Sequence, residues 1–331
     1  MNAERRIQMS LTRREFLELM GKGAVALGLS SSVGYAAWTT PVKEALAENA
    51  AKGGNLPVIW FQGQSCAGCS VSTLNTVYPD IAEVLTETIS MEFHPNIMAA
   101  SGELALKVLN DAVANKKRQF VLVVEGAVPT NDKGLYSTMG EKDGKHKTAR
   151  DWVEKLGTSA KFVLNVGACA SFGGIPAAEP NPTGAQPVSK IIPQATMINI
   201  SGCPPHPDWI VGTIAHVLLF GMPELDEYNR PTLFFSKSVH EQCERRSYFE
   251  ADEMAEDFGD EGCLFELGCK GPIANCDSPI RNWNNQTSWC VQSGSPCIGC
   301  CAPTFPDHEG DGIYAALPIS KTHGIPWTRK A

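Results

Sequence analysis

The 331-residue sequence predicts an α/β protein, a parallel sheet clothed by helices and followed by a loop-rich second half. Three observations carry that expectation. Continuous apolar runs alternate with helical patterns from residue 57 to about residue 221. Four cysteines fall directly behind three of those runs. Beyond residue 240 the alternation stops, and eight of the twelve cysteines crowd into residues 240–301.

Each element has its own justification. "PVIWF" (57–61) is an apolar run of strand length. "STLNTVYPDIAEVL" (72–85) sets Leu74, Val77, Ile81 and Leu85 on one helical face, with Pro79 as a breaker inside it. "TISMEF" (88–93) reads as a strand and "GELALKVLNDAVANKK" (102–117) as a helix. Next come the buried-strand run "FVLVVEG" (120–126), the short helix "ARDWVEKLG" and the run "KFVLNVG" (161–167). "TMINIS" (196–201) is the last strand, and "DWIVGTIAHVLLFG" (208–221) is a helix closed by glycine. Apolar throughout, such strands are covered on both faces, as in a parallel sheet. Periodicity alone leaves the strand order open.

Composition bounds the function. The chain is 43% hydrophobic and 19% charged, a globular mixture without low-complexity tracts. Its net charge is −8, and residues 1–47 contribute +2, leaving −10 for the remainder. An acidic surface disfavours nucleic acid and suits a basic protein partner. Within 1–47, Arg13-Arg14 and Phe16 precede a modestly apolar stretch, and Ala45-Leu46-Ala47 resembles a cleavage site. This pattern predicts a twin-arginine export signal, the route for proteins already folded around a cofactor. No later apolar run has the length of a membrane span, so no membrane anchor of its own is expected.

The cysteines carry the chemistry. Cys66 and Cys69 follow the first strand, Cys169 the fourth and Cys203 the fifth. Loops behind the carboxyl ends of parallel strands gather on one edge, where ligands bind. Such a set can form disulfides, hold zinc or ligate an iron–sulfur cluster, and spacing alone leaves all three open. Further along, His240 and Cys243 lie three apart on a helical turn, with Cys263 and Cys269 behind them. Cys276, Cys290, Cys297, Cys300 and Cys301 complete the count.

Eight strings stand in order: "CAGC", "EFHP", "VEGAVPT", "GACASFGGIP", "GCPPHPDW", "HEQC", "ELGCKGP" and "PCIGC". On these the chain resembles the small, electron-transferring subunit of periplasmic nickel–iron hydrogenases over nearly its whole length. The resemblance implies a signal peptide (1–47), a flavodoxin-like domain (48–225) and a loop-rich iron–sulfur C-terminal domain (226–331). It implies a proximal 4Fe–4S cluster on Cys66, Cys69, Cys169 and Cys203, with Glu125 close by. A distal 4Fe–4S cluster would use His240, Cys243, Cys263 and Cys269, and a medial cluster Cys276, Cys297 and Cys300. Many relatives have proline where this chain has Cys290, and three irons there. A fourth thiolate implies a full medial cubane, as in the nickel–iron–selenium branch, with 3Fe–4S the alternative. Cys301 is left over, expected as a small buried or free thiol turned away from its neighbour. Oxygen-tolerant relatives add cysteines at positions matching Gly68 and Gly174, so glycine at both implies an ordinary proximal cluster and ordinary oxygen sensitivity.

The implied activity is reversible hydrogen oxidation, with the nickel–iron active site on a large-subunit partner and no catalytic residue in this chain. Electrons would pass through the three clusters to a redox carrier, expected as a soluble multihaem cytochrome, in the periplasm. Two alternatives from other classes remain at this point: an exported, zinc-stabilised binding protein, and the related subunit of other iron–sulfur oxidoreductases.

Overall fold

The computed structural model describes residues 12–15, 45, 55–307 (apart from 116, 118 and 143) and 313–314. Most of the export-signal segment, the polar tail and the ends of their expected domains lie outside the described residues.

Five parallel strands form the central sheet: β1 (Leu56–Gln62), β2 (Ile89–Phe93), β3 (Val121–Glu125), β4 (Val163–Val166) and β5 (Met197–Ile200). Their order is β2-β1-β3-β4-β5, the flavodoxin-like order that the sequence pattern alone left open. Connecting helices include α1 (Gly68–Leu74), α2 (Gly102–Asn115), α3 (Ala149–Ser159), α4 (Ala168–Phe172) and α5 (Pro207–Phe220). Thr148 caps α3 through the Asp151 amide at 3.1 Å, and Asp151 returns the bond. Pro207 opens α5, where a missing N–H costs nothing.

Strand alternation sends side chains to two cores. Ile59, Phe61, Leu122 and Val124 pack against Leu109 of α2 and Trp152, Val153 and Leu156 of α3. On the other face Val58, Trp60, Val121 and Val123 meet Trp209, Ile210 and Ile214 of α5. That second core runs on without a break into Phe234, Phe235, Trp289 and Val291, so the cysteine-rich half packs directly on the sheet layer.

Residues 72–85 depart from the expected single helix. Proline has no amide to continue the ladder, and α1 stops at Leu74 ahead of Pro79. Asp80 and Glu83 then form a capping box that starts a new short turn, Ile81–Glu83. As a result Leu74 and Val77 face outward, whereas Ile81 and Leu85 still reach the core.

The second half is built mainly of turns, with α6 (Val239–Gln242) and α7 (Ser278–Arg281) as short helical pieces. A polar seam ties it to α5. Arg281, buried at 6% exposure, pairs with Asp277 at 2.6 Å and with Asp208 at 3.0 Å. Trp209 Nε1 donates to Asp277 Oδ1 at 2.7 Å. Among the described residues no helix is long and apolar enough to cross a membrane.

Candidate metal centres

All twelve cysteines are free thiols, which sets the disulfide reading aside. They fall into three neighbourhoods.

The first lies at the carboxyl edge of the sheet, at the point where the strand order reverses between β1 and β3. Cys66, Cys169, Cys203 and Glu125 all contribute to the electrostatic environment of Cys69. The β1 and β3 ends are zipped there: Gly63 N donates to Glu125 O at 2.8 Å, and Gln64 N to Ala127 O at 2.8 Å. Close approach demands glycine. At Gly167 (φ 100°) a Cβ would come within 2.5 Å of Cys69 Sγ. A Cβ at Gly174 would meet the Cys169 amide nitrogen at 2.8 Å, and one at Gly68 would stand 3.1 Å from Cys66 Sγ.

Glu125, the last residue of β3, is fully buried and surrounded by donors. Oε1 accepts from Ser65 Oγ at 3.0 Å and from the Cys69 and Ser70 amides at 3.0 and 3.3 Å. Oε2 accepts from Trp60 Nε1 at 2.9 Å, Gln62 Nε2 at 3.1 Å and Ser70 Oγ at 2.5 Å. Burial opposes ionisation, but bonds from Ser70, Trp60, Gln62 and Ser65 outweigh it and hold the carboxyl below its usual range. The sequence reading missed these four donors and His94, which stacks on Trp60 at 5.2 Å and meets Ser70 Oγ at 3.2 Å. Their signal was available: Ser65 and Ser70 bracket the C-x-x-C loop, and His94 sits in the quoted "EFHP".

The second neighbourhood is a tight recess whose lining includes His240, Cys243, Cys263 and Cys269. α6 carries His240 and is capped by Ser238 and Glu241, while Cys243 ends it. His240 Nε2 is buried with no hydrogen-bond partner. Burial, then the Arg246 charge, lowers the pKa of the ring and so favours the neutral form that binds metal. Burial pushes the Cys243 thiol up to about 12, with Cys269, Glu244 and Cys263 adding repulsion.

The third is a wider, more open cavity, lined by Cys276, Cys290, Cys297, Cys300 and Cys301 and also by Cys203 of the first neighbourhood. Cys290 is exposed, and its thiol is raised to about 11 by burial of the sulfur and by Cys300 and Cys276. Cys301 corrects an expectation. It is buried at 1% exposure, yet rather than turning away it lines the same cavity as Cys276 and Cys300, and its thiol donates to Asn275 O at 3.3 Å. Ser201 and Arg230 hold its backbone carbonyl in place.

Hydrogen bonds link the neighbourhoods. Ser201 Oγ, two residues before Cys203, donates to Cys301 O at 2.8 Å, joining the first to the third. Lys270 N, next to Cys269, donates to Cys297 O at 2.7 Å, joining the second to the third. Local amides also serve the sulfurs: Gly68 N to Cys66 Sγ at 3.4 Å, Arg245 N to Cys243 Sγ at 3.4 Å, Gly271 N to Cys269 Sγ at 3.5 Å.

This donor set fits iron–sulfur clusters. Buried thiols that repel one another need a cationic core to become thiolates, and a bound metal inverts their pKa logic. An orphaned imidazole nitrogen beside three thiols needs a Lewis acid or a donor. Among the described residues no three His, Cys, Asp or Glu converge tightly enough for a single metal ion. The third group rings an open volume wider than a tetrahedral zinc site, which weighs against zinc there.

Known proteins resemble the chain over most of its length. The family described as "NADH ubiquinone oxidoreductase, 20 Kd subunit" matches residues 66–217. The family formed by the C-terminal part of the NiFe/NiFeSe hydrogenase small subunit matches residues 235–311. The chain is 42% identical to the periplasmic [NiFeSe] hydrogenase small subunit of Desulfomicrobium baculatum, over 90% of this chain and 97% of that one. It is 39% identical to the quinone-reactive Ni/Fe-hydrogenase small chain of Wolinella succinogenes, over 92% and 84%. The solved D. baculatum [NiFeSe]-hydrogenase superposes with a TM-score of 0.75 at 43% identity, covering 79% of this chain and 99% of that one. The chain therefore belongs to the family of nickel–iron and nickel–iron–selenium hydrogenase small subunits.

Proposed function

We propose that this chain is the electron-conducting small subunit of a periplasmic hydrogenase, carrying electrons between a nickel–iron large subunit and a redox carrier through three iron–sulfur clusters. When bound, the clusters supply one-electron carriers buried in protein. Cys66, Cys69, Cys169 and Cys203 hold the proximal cluster, Cys276, Cys290, Cys297 and Cys300 the medial one, and His240, Cys243, Cys263 and Cys269 the distal one. The observations that carry this reading are two contacts between the groups: Cys203 of the first lines the cavity of the third, and Lys270 N, next to Cys269 of the second, donates to Cys297 O at 2.7 Å. They support an arrangement of the three groups in series, which conduction requires and a set of independent structural zincs does not.

The medial site is assigned a full cubane because Cys290 shares its cavity with the other three ligands. The proximal site is assigned the ordinary form, since Gly174 leaves no room for an added side chain without moving Cys169. The boundary near residue 225 and export through the twin-arginine signal are part of the same proposal.

The carrier is proposed to be a soluble, basic multihaem cytochrome docking near the distal site. Between residues 241 and 261 the chain places nine carboxylates against two arginines. That density beside His240 suits a cationic partner.

The test is metal analysis with electron paramagnetic resonance on the purified heterodimer. About twelve irons, no zinc and no strong three-iron signal are expected after oxidation, and Cys290→Pro should create that signal. A colourless complex containing zinc would overturn the reading.

A further inference from the structure

Six thiols line the medial cavity. Cys203 is assigned to the proximal group, and four of the other five suffice for a cubane. The remaining one, Cys301, is not a bystander. Its sulfur shares one cavity with those of Cys276 and Cys300 and lies 3.3 Å from Asn275 O, at 1% exposure. Two bonds from distant parts of the chain hold its backbone there. Ser201 Oγ, just past β5, donates to the Cys301 carbonyl at 2.8 Å, and Arg230 Nη1 donates to the same oxygen at 3.0 Å. Arg230 is itself buried and held by Asp226 at 2.7 Å. Turning the Cys301 side chain away would cost the bond to Asn275 O, and the two carbonyl bonds keep the backbone from moving the thiol out of the cavity.

We propose that Cys301 is a thiol donor to the ligand sulfurs of the medial site, raising that site's reduction potential without ligating iron. The proposal rests on the assignment of Cys276, Cys290, Cys297 and Cys300 as the medial ligands. The thiol has one proton, given to the Asn275 carbonyl, and the sulfurs of Cys276 and Cys300 stand in the same cavity. Once those sulfurs are iron-bound thiolates, they carry charge and outcompete a neutral carbonyl. A hydrogen bond to a ligand sulfur stabilises the more negative, reduced state and moves the potential upward. Cys301 is a positioning residue in this sense: it acts on the iron only through its neighbours' sulfurs.

The experiment is a redox titration of the purified heterodimer followed by electron paramagnetic resonance, on wild type, Cys301→Ala, Cys301→Val and Cys301→Ser. Alanine and valine should keep the iron content and the four-iron type. Both should shift the medial midpoint negative while the proximal and distal midpoints stay. Serine, still a donor, should lie above both. Valine, closer to cysteine in volume, decides the matter if the void left by alanine prevents assembly. A medial midpoint unmoved in the apolar variants overturns the proposal. So does loss of one iron in them, which would make Cys301 a ligand. Cys290→Pro, prepared in parallel, reports on the ligand set separately. If it keeps a four-iron medial cluster while Cys301→Ala yields a three-iron one, the assignment beneath the proposal is wrong as well.

Discussion

His240 is the residue at which the reading is most exposed to experiment. An imidazole is neutral where cysteine would supply a negative sulfur, so His240→Cys adds one charge to the distal site. The distal midpoint should fall by on the order of 100 mV with iron retained, and delivery of electrons to the carrier should slow. Unchanged midpoint and turnover would count against His240 as a ligand. The pairing of His240 with Cys243 was legible in the sequence, because three-residue spacing on a helical turn puts both on one side. The environment of His240 was not. Phe249, whose ring stands 4.7 Å away, is an ordinary aromatic in the sequence, and contact with it depends on how the turns fold.

At the scale of elements, the carboxyl end of β3 works as a latch on the loop that opens α1. Glu125 accepts the amides of Cys69 and Ser70, donors at the start of a helix that have no partner within it. Replacing it by glutamine keeps the shape but faces an amide NH₂ toward groups that also donate. Glu125→Gln should lower the stability of the first cysteine neighbourhood by about 2–3 kcal/mol, read as earlier loss of cluster absorbance on stepwise denaturation. An unchanged midpoint would refute the latch. The strands themselves were readable, since "FVLVVEG" and "KFVLNVG" are apolar throughout and end where the cysteines begin. Trp60 and Gln62 as carboxylate donors were hidden, because on β1 they look like core and strand end. The break at Pro79 was flagged by its chemistry, yet the outward turn of Leu74 and Val77 needed the structure.

Over the whole molecule, sheet layer and cysteine-rich half share one core, from Val58 and Trp60 through Trp209 to Trp289. Sequence pattern could suggest two regions but not this shared packing, which joins residues far apart in the chain. Charge is organised at the same scale, with the acidic segment 241–261 next to the proposed exit. Turnover with a basic carrier should therefore fall about tenfold between low and high ionic strength, while turnover with a small neutral dye stays nearly constant. Equal salt response for both would remove the docking argument.

Because Ser201 Oγ and Lys270 N each bind a carbonyl of the neighbouring cysteine group, the three groups lean on each other mechanically. Moving one ligand shifts its neighbour's anchorage, so substitutions on either side of a junction will not add. Evolution or a protein engineer can thus adjust the ends of this wire more freely than its joints.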